Sequence, residues 1–192
     1  MNLKPTLMAA AFAAACGTLA IAPTALAADS GTITFNGQVL NSTCSVSGDG
    51  GSNDFTVALP TVQKGVLPSS GAYSAGAKPF TLSLTGCPVN ATPIKVGAQF
   101  YSSNADAALT GGLKNASGTG YATGLDVQLL DSGNTAITIG TAAPTGNANV
   151  SDQVAVDGSG NATLGYTAQY YVTGTIGAGS VSTSVQYVIN YQ

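Results

Sequence analysis

The chain has 192 residues, with 5 Lys, 8 Asp and no Arg, Glu or His, and its formal net charge is −3. Without His, Glu or Arg it lacks an imidazole base, a His-ligated metal, Ser-His-Asp or Cys-His catalysis, a glutamate acid/base and a bidentate phosphate clamp. A negative charge without a basic cluster argues against nucleic-acid binding, which depends on Lys and Arg neutralising phosphates. The composition therefore predicts no enzyme, no nucleic-acid partner and no metal or other cofactor.

The first 27 residues have the pattern of a secretory signal peptide. Lys4 precedes an uncharged, Ala-rich stretch over residues 7–22, and a small-residue A-L-A triplet ends at Ala27. This pattern predicts export with cleavage after Ala27. A membrane anchor is disfavoured because the apolar stretch is short for a span. Lipidation at Cys16 is disfavoured because the alanines just before it lack the Leu usual at such a site. The mature chain then has 192 − 27 = 165 residues, the length of one domain.

The segment after the signal peptide changes the phase of its apolar residues. Odd positions are apolar up to Val39, and even positions are apolar from Leu40 through Cys44 and Val46. A single strand should keep its phase, because a one-residue slip turns every side chain to the other face of the sheet. Two interpretations stay open: the residues before and after the switch serve different surfaces, or a β-bulge lies at Val39–Leu40.

Two cysteines, Cys44 and Cys87, remain after cleavage. Cysteines of an exported chain are expected to pair, because the compartment is oxidising. A metal site would need further soft ligands, and a redox-active pair would need Cys-x-x-Cys. The sequence therefore predicts a structural disulfide. Closing a loop of about 44 residues would stabilise the fold by about 4 kcal/mol in the chain-entropy account.

Along the mature chain, period-two alternation predicts strands and no helix of note. The seven alternating runs are Ile33–Val39, Phe55–Leu59, Phe80–Leu84, Ile94–Phe100, Leu125–Leu129, Leu164–Val172 and Val181–Tyr191, each of which begins and ends at an apolar residue. Clusters of Gly, Asn, Asp, Ser and Pro separate them, which is typical of an all-β antiparallel sandwich. Residues 102–123 are rich in Gly, Ala, Ser and Asn, and we expect a long loop there.

The last predicted strand runs to the end of the chain at Tyr191-Gln192. The sandwich is then either complete, or it lacks its last strand and takes one from elsewhere. An unpaired apolar edge is an aggregation hazard in a monomer. In a polymer the same edge is useful, because strand addition supplies main-chain hydrogen bonds and pocket-filling side chains together.

The chain resembles the major subunits of type 1 fimbriae, which are pilins of the chaperone–usher class. The resemblance covers nearly the whole length and lies in the order and spacing of several segments. These are Gly31–Val39 followed by Cys44, then Cys87 at a strand end, Gly124–Asp131, Tyr166–Gly174, Gly179 fourteen residues from the end, and the penultimate Tyr191. The leader before the first of these segments, Ala28-Asp29-Ser30, is shorter than is usual in the family.

The resemblance implies an incomplete immunoglobulin-like antiparallel sandwich with six strands of its own, completed by a strand donated from the next subunit. It divides the chain into a removed signal peptide (1–27), a donor-strand extension (28–40) and a pilin domain (41–192). The implied donor face is Ile33, Phe35, Gly37 and Val39. The implied acceptor and chaperone-binding edge is Gly179, Val181, Val185, Tyr187, Ile189, Tyr191 and Gln192. The phase switch would then separate residues that fill a neighbour's groove from residues of the subunit's own core.

The implied function is that of a structural subunit of a surface fimbria that supports cell adhesion. The implied partners are other copies of the chain or sibling pilins, a periplasmic chaperone and an outer-membrane usher. The implied route runs through the periplasm to an extracellular fimbrium. A minor adaptor or anchor subunit of the same system is an alternative. A secreted carbohydrate-binding sandwich fits less well, because Trp is absent and most aromatic residues are in phase with the core alternation.

Overall fold

The computed structural model describes residues 44–90, 92–147 and 149–192, and these ranges hold nine strands and one short 3-10 helix, Lys64–Val66. The strands are β1 Ser45–Gly48, β2 Gly71–Thr85, β3 Lys95–Tyr101, β4 Gly112–Lys114, β5 Thr123–Leu130, β6 Ile139–Gly140, β7 Ser151–Ala155, β8 Ala162–Gly177 and β9 Gln186–Tyr191. The all-β class is confirmed. Nine strands exceed the predicted six because short strands such as β4, β6 and β7 lie in segments where alternation is weak.

The first sheet has the order β1-β2-β8-β5-β4, with every pair antiparallel. Its centre is formed by the two longest strands, β2 and β8, which place Phe80 opposite Tyr166 and Leu82 opposite Leu164. Successive side chains of a strand point to opposite faces, so the alternating apolar residues of both strands face the same side. That side is the domain core, where Leu82 and Leu164 are fully buried.

The second sheet is centred on β3. β9 pairs antiparallel with β3 along nearly its whole length, while β7 and β6 pair with the first and last parts of the same strand. A strand has two edges, so β9 takes one edge of β3 and the two short strands share the other. The register sets Val96 opposite Tyr191, Ala98 opposite Ile189 and Phe100 opposite Tyr187.

The core between the sheets is built around Tyr166. Its ring packs against Phe80 at a centroid distance of 5.6 Å and against Phe100 in an edge-on contact at 4.9 Å. Burial raises the pKa of Tyr166 to about 12, so the phenol is protonated at any physiological pH. Each large side chain buried in this way stabilises the fold by about 1.5–3 kcal/mol.

The predicted disulfide is confirmed. Cys44 and Cys87 are bonded, with their Cα atoms 4.3 Å apart, and they lie just before β1 and just after β2. Because β1 is only four residues long, the bond fastens an edge strand that has few hydrogen bonds of its own.

The predicted strand over Phe55–Leu59 is wrong, because these residues form no regular strand; we call residues 53–60 the rim segment. The alternation is nevertheless kept, since Phe55, Val57 and Leu59 are half-buried and pack against the core while the residues between them are exposed. Phe55 lies over Gly48, where an added Cβ would come within 1.9 Å of its ring. The rim segment is thus extended and anchored by its side chains, without strand pairing in the described ranges.

Several predictions fall outside the described residues. They are the signal peptide, the phase switch at Val39–Leu40 and the donor face of Ile33, Phe35, Gly37 and Val39. Across the described part of the chain, no helix has the length and apolar character needed to span a membrane.

Candidate functional site: a groove beside the last strand

The core-facing side chains of β9 are less buried than those of the neighbouring strand β3. The β3 residues Val96, Ala98 and Phe100 have exposed fractions of 0%, 0% and 4%, whereas their β9 partners Tyr187, Ile189 and Tyr191 are only half-buried. Within the described residues, β9 pairs with β3 alone. The row of core-facing β9 side chains therefore lies at a sheet edge, where another strand can pair.

The rim segment adds a second row of apolar side chains that pack against the same core. Phe55, Val57 and Leu59 pack against the same core cluster as the β9 residues and are also only half-buried. Two rows of partly covered apolar side chains thus border one strip of the core.

Two tyrosine side chains span this strip. The Tyr187 hydroxyl donates a 2.8 Å hydrogen bond to the carbonyl oxygen of Asn53, and the amide of Cys44 donates a 3.2 Å bond to the Tyr191 hydroxyl. Within the described residues, β9 has no main-chain pairing with Cys44 or with residues 53–60, so these two tyrosine side chains connect them. We call the strip between β9 and the opposite residues Cys44 and 53–60 the groove; its floor includes Tyr187, Ile189 and Tyr191.

The hydroxyl of Tyr187 keeps its proton in this position. Burial raises its pKa, and the negative charge of Asp54 raises it further. The phenol is therefore a stable hydrogen-bond donor to Asn53 at neutral pH.

Residues 179–185, which we call the lip, lead into β9 but are not part of it. The predicted single strand over Val181–Tyr191 is wrong in its first half, because regular pairing with β3 begins only at Gln186. Val181 and Val185 still face the core and pack against it.

The side chain of Asn115 holds the lip in place. Its Nδ2 donates to the carbonyl oxygens of Ala122 (2.8 Å) and Ser180 (3.2 Å), and its Oδ1 accepts a 2.7 Å bond from the amide of Ser182. The lip is therefore attached to the loop before β5 through one amide side chain that bonds on both sides of Val181.

Further contacts complete this attachment. The amide of Ala116 donates to the Ser182 carbonyl (2.9 Å), and Ser102 Oγ donates to the Ser184 carbonyl (2.7 Å). At Gly179 an added Cβ would lie 2.4 Å from the carbonyl carbon of Tyr121, so this glycine permits a close backbone approach. The segment over residues 102–123, predicted as a long loop, thus contains the short strand β4 and also supports the lip.

The carboxyl groups of Asp106 and Asp126 lie close to each other, and Asp126 contacts the backbone of Asn115. Asp126 is buried, bonds to the side chain of Asp106 and accepts a bond from the Asn115 amide. Burial raises the pKa of Asp126, and the hydrogen bond and charge of Asp106 raise it further. Lys114 Nζ is 4.0 Å from Asp106. In the described ranges, no group of three or more His, Cys, Asp or Glu side chains is placed to hold a metal ion.

The structure brings most predicted edge residues together. Tyr187, Ile189 and Tyr191 lie on β9, Gly179, Val181 and Val185 lie on the lip, and the main chain of Gln192 pairs with Lys95 in both directions. Asn115 and Ser102 were missed, because their contacts are side-chain bonds to a segment 65 or more residues away in the chain.

The family of fimbrial proteins, as represented by its family model, matches residues 33–192. The chain belongs to this family. The major fimbrial subunit SMF-1 of Stenotrophomonas maltophilia is 42% identical over 90% of this chain and 99% of its own length. As a fimbrial subunit, this protein is a structural protein and not an enzyme. The predicted relationship to fimbrial major subunits is confirmed.

Two solved structures share the fold of this fimbrial subunit. The P pilus rod subunit PapA matches with a TM-score of 0.61 at 18% identity, covering 79% of this chain and all of PapA. A subunit in the structure of a chaperone–usher pilus matches with a TM-score of 0.52 at 21% identity, covering 89% of this chain and all of that one. The predicted immunoglobulin-like pilin fold is confirmed.

Proposed function

We propose that this fimbrial subunit polymerises by inserting residues 28–40 of one copy into the groove of the next. The observation that carries the proposal is the pair of tyrosine bonds across the groove, Tyr187 to Asn53 and Cys44 to Tyr191. They hold two backbones on either side of a strip that is bordered by half-buried apolar rows.

A strand in the groove would gain two kinds of interaction. Its main chain would pair with the outer edge of β9, and its alternate side chains would cover Tyr187, Ile189 and the facing rim residues. Burying a large apolar side chain contributes about 1.5–3 kcal/mol, so three such side chains can hold subunits together firmly. Donor-strand addition combines main-chain affinity with side-chain specificity.

The donor role falls to Ile33, Phe35, Gly37 and Val39 because they present one apolar face in a segment of strand-forming residues. The match to the fimbrial family begins at Ile33, the first of these residues. The division of the chain into residues 1–27, 28–40 and 41–192 follows from the same proposal.

Before assembly, a periplasmic chaperone would cover β9 and the terminal Gln192, and an outer-membrane usher would exchange it for the next subunit. This role is supported by the unpaired outer edge of β9 in the described residues. It is also supported by the likeness to a subunit of a chaperone–usher pilus. The signal peptide over residues 1–27 would start the route to the surface.

Deletion of residues 28–40 tests the proposal. The truncated chain should accept a strand but not donate one, so it should give no polymer and should shorten fibres when co-expressed with the full chain. A synthetic peptide of residues 28–40 should raise its thermal stability, and the same peptide with Phe35→Asp should not. Polymer from the truncated chain at wild-type levels would overturn the proposal.

A further inference from the structure

The carboxyl group of Asp126 on β5 contacts a second carboxyl group, that of Asp106. Asp126 is 7% exposed, and its side chain bonds to the side chain of Asp106. An ionised carboxylate can only accept hydrogen bonds, so a bond between two carboxyl groups needs a proton on one of them. The two side chains therefore share a proton whenever this contact is made.

The surrounding side chains do not replace this proton. Lys114 on β4 lies directly opposite Asp126, and its Nζ is 4.0 Å from Asp106, but its side chain is 61% exposed and water screens its charge. On the other side, β8 places the uncharged Tyr171 opposite Asp126. The segment that leads into β5 carries one titratable side chain, the exposed and uncharged Tyr121. Two ionised carboxylates in this place would repel each other.

The carboxyl pair lies next to the attachment of the lip. Residues 104–106 bond to residues 112–114 through two main-chain hydrogen bonds. The next residue, Asn115, donates its amide to Asp126 and holds the lip with its side chain on both sides of Val181. The loop that carries Asp106, the buried Asp126 and the lip are thus connected through adjacent residues.

We propose that the Asp106–Asp126 pair is a proton-dependent contact that holds residues 104–115, and through Asn115 the lip, more tightly in acid than at neutral pH. When the shared proton is lost, the repulsion between the two carboxylates pushes the loop that carries Asp106 away from β5 and weakens the attachment of Asn115. This role lies outside strand donation and does not depend on it.

The direction of the pH dependence agrees with the surroundings of Asp126. Burial raises its pKa in the folded state, and the bond and charge of Asp106 raise it further. The contact therefore stabilises fully below the ordinary carboxyl pKa of about 3.9 and is lost as the pH rises through the raised value. A turn carboxylate such as Asp157, whose pKa is lowered by amide hydrogen bonds, behaves in the opposite way.

Hydrogen exchange of the full mature chain from pH 4 to pH 8, corrected for the intrinsic pH dependence of exchange, measures how often residues 104–116 and 180–185 open. The wild type is compared with Asp106→Asn, Asp126→Asn and Asp131→Asn. An amide at either position of the pair donates to the remaining carboxyl group at any pH, so it replaces the shared proton. Asp131→Asn is the matched control, because Asp131 directly follows β5 and accepts a bond from the amide of Thr135 instead.

In the wild type we expect both segments to open roughly 3- to 10-fold more often at pH 8 than at pH 4, the effect of one lost hydrogen bond. The ratio should be lost in Asp106→Asn and in Asp126→Asn and kept in Asp131→Asn. If one of the two amide variants does not fold, the other decides the result.

Opening that does not change with pH in the wild type would overturn the inference, and so would a pH dependence that persists in the amide variants. A pH dependence at residues 104–116 without one at residues 180–185 would overturn the connection to the lip. Polymerisation is not measured, so failure of the proposed function would leave this result unchanged.

Discussion

The Tyr187 hydroxyl reaches from β9 to the carbonyl oxygen of Asn53, a residue 134 positions earlier in the chain. It joins the two borders of the groove without any main-chain pairing between them. The bond therefore helps to set the width of the groove.

Tyr187→Phe should lower the free energy of unfolding of the subunit by about 1 kcal/mol, the net value of one hydrogen bond. Chemical denaturation of the chaperone-free mature subunit measures this. Tyr171→Phe is the control, because Tyr171 is half-exposed on β8 and its hydroxyl makes no hydrogen bond in the described ranges. Equal stability of Tyr187→Phe and wild type would mean that the bond does not hold the groove borders together.

Asn115→Ala should loosen the lip. It removes the bonds to Ala122, Ser180 and Ser182, and we expect a loss of about 1–3 kcal/mol in subunit stability. Hydrogen exchange should become faster at residues 180–185 before it changes in β2 or β8. Asn104→Ala is the control, since Asn104 lies in the same loop but contributes only main-chain bonds. Uniform acceleration throughout the domain would contradict a local role for Asn115.

Asp126→Asn should stabilise the subunit at neutral pH. Burial raises the pKa of Asp126 in the folded state, and Asp106 adds to the effect. The folded state therefore binds the proton more tightly than the unfolded state. This contribution is fully present below the ordinary carboxyl pKa of about 3.9 and is lost as the pH rises through the raised value. The amide variant should remove this part of the pH dependence.

Asp157 provides a control, because its pKa is shifted in the opposite direction to that of Asp126. Hydrogen bonds from the amides of Asn161 and Ser159 lower its pKa. Its contribution is present above the ordinary carboxyl pKa and is lost as the pH falls through the lowered value, so Asp157→Asn should destabilise at neutral pH. Thermal unfolding from pH 3 to pH 7 measures both variants, and shifts in the same direction would contradict this assignment.

Gly37→Leu should leave the yield of chaperone-bound subunit unchanged and should block polymerisation. We expect the groove to be shallow opposite Gly37, so that a Leu side chain on the donor face would collide with its floor. Gln38→Leu is the matched control, because it adds the same side chain to the opposite face of the donor segment. A non-boiled gel shows the polymer directly. Normal polymer from Gly37→Leu would show that the groove is not too shallow for a side chain at this position.

The central strands could be predicted from the sequence because they pair regularly with a neighbouring strand on each side. In β2 and β8, Leu82 and Leu164 lie opposite each other in continuous ladders, so period-two alternation and burial agree. The disulfide could be predicted because only two cysteines lie outside the predicted signal peptide.

The rim segment and the lip could not be predicted to the same extent. Phe55 and Val181 keep the alternation of a strand, since they face the core, but their main chains do not form a regular ladder in the described ranges. Alternation reports which side chains are buried and says nothing of which backbones pair. The role of Asn115 left no signal, because an asparagine in a Gly- and Ser-rich loop is what any connection would contain.

We propose that residues 33–39 of one copy lie beside β9 of the next. The most direct test mixes chains that carry a single added cysteine at Thr34, Asn36 or Gln38 with chains that carry Val188→Cys. Val188 lies on the outer face of β9 and is 38% exposed, and paired strands bring facing residues close enough for a disulfide. We expect one of the three donor positions to form a cross-linked dimer with Val188→Cys in high yield, and none to do so with Tyr171→Cys on β8. Polymers that form normally while none of the three positions cross-links to Val188→Cys would contradict the account.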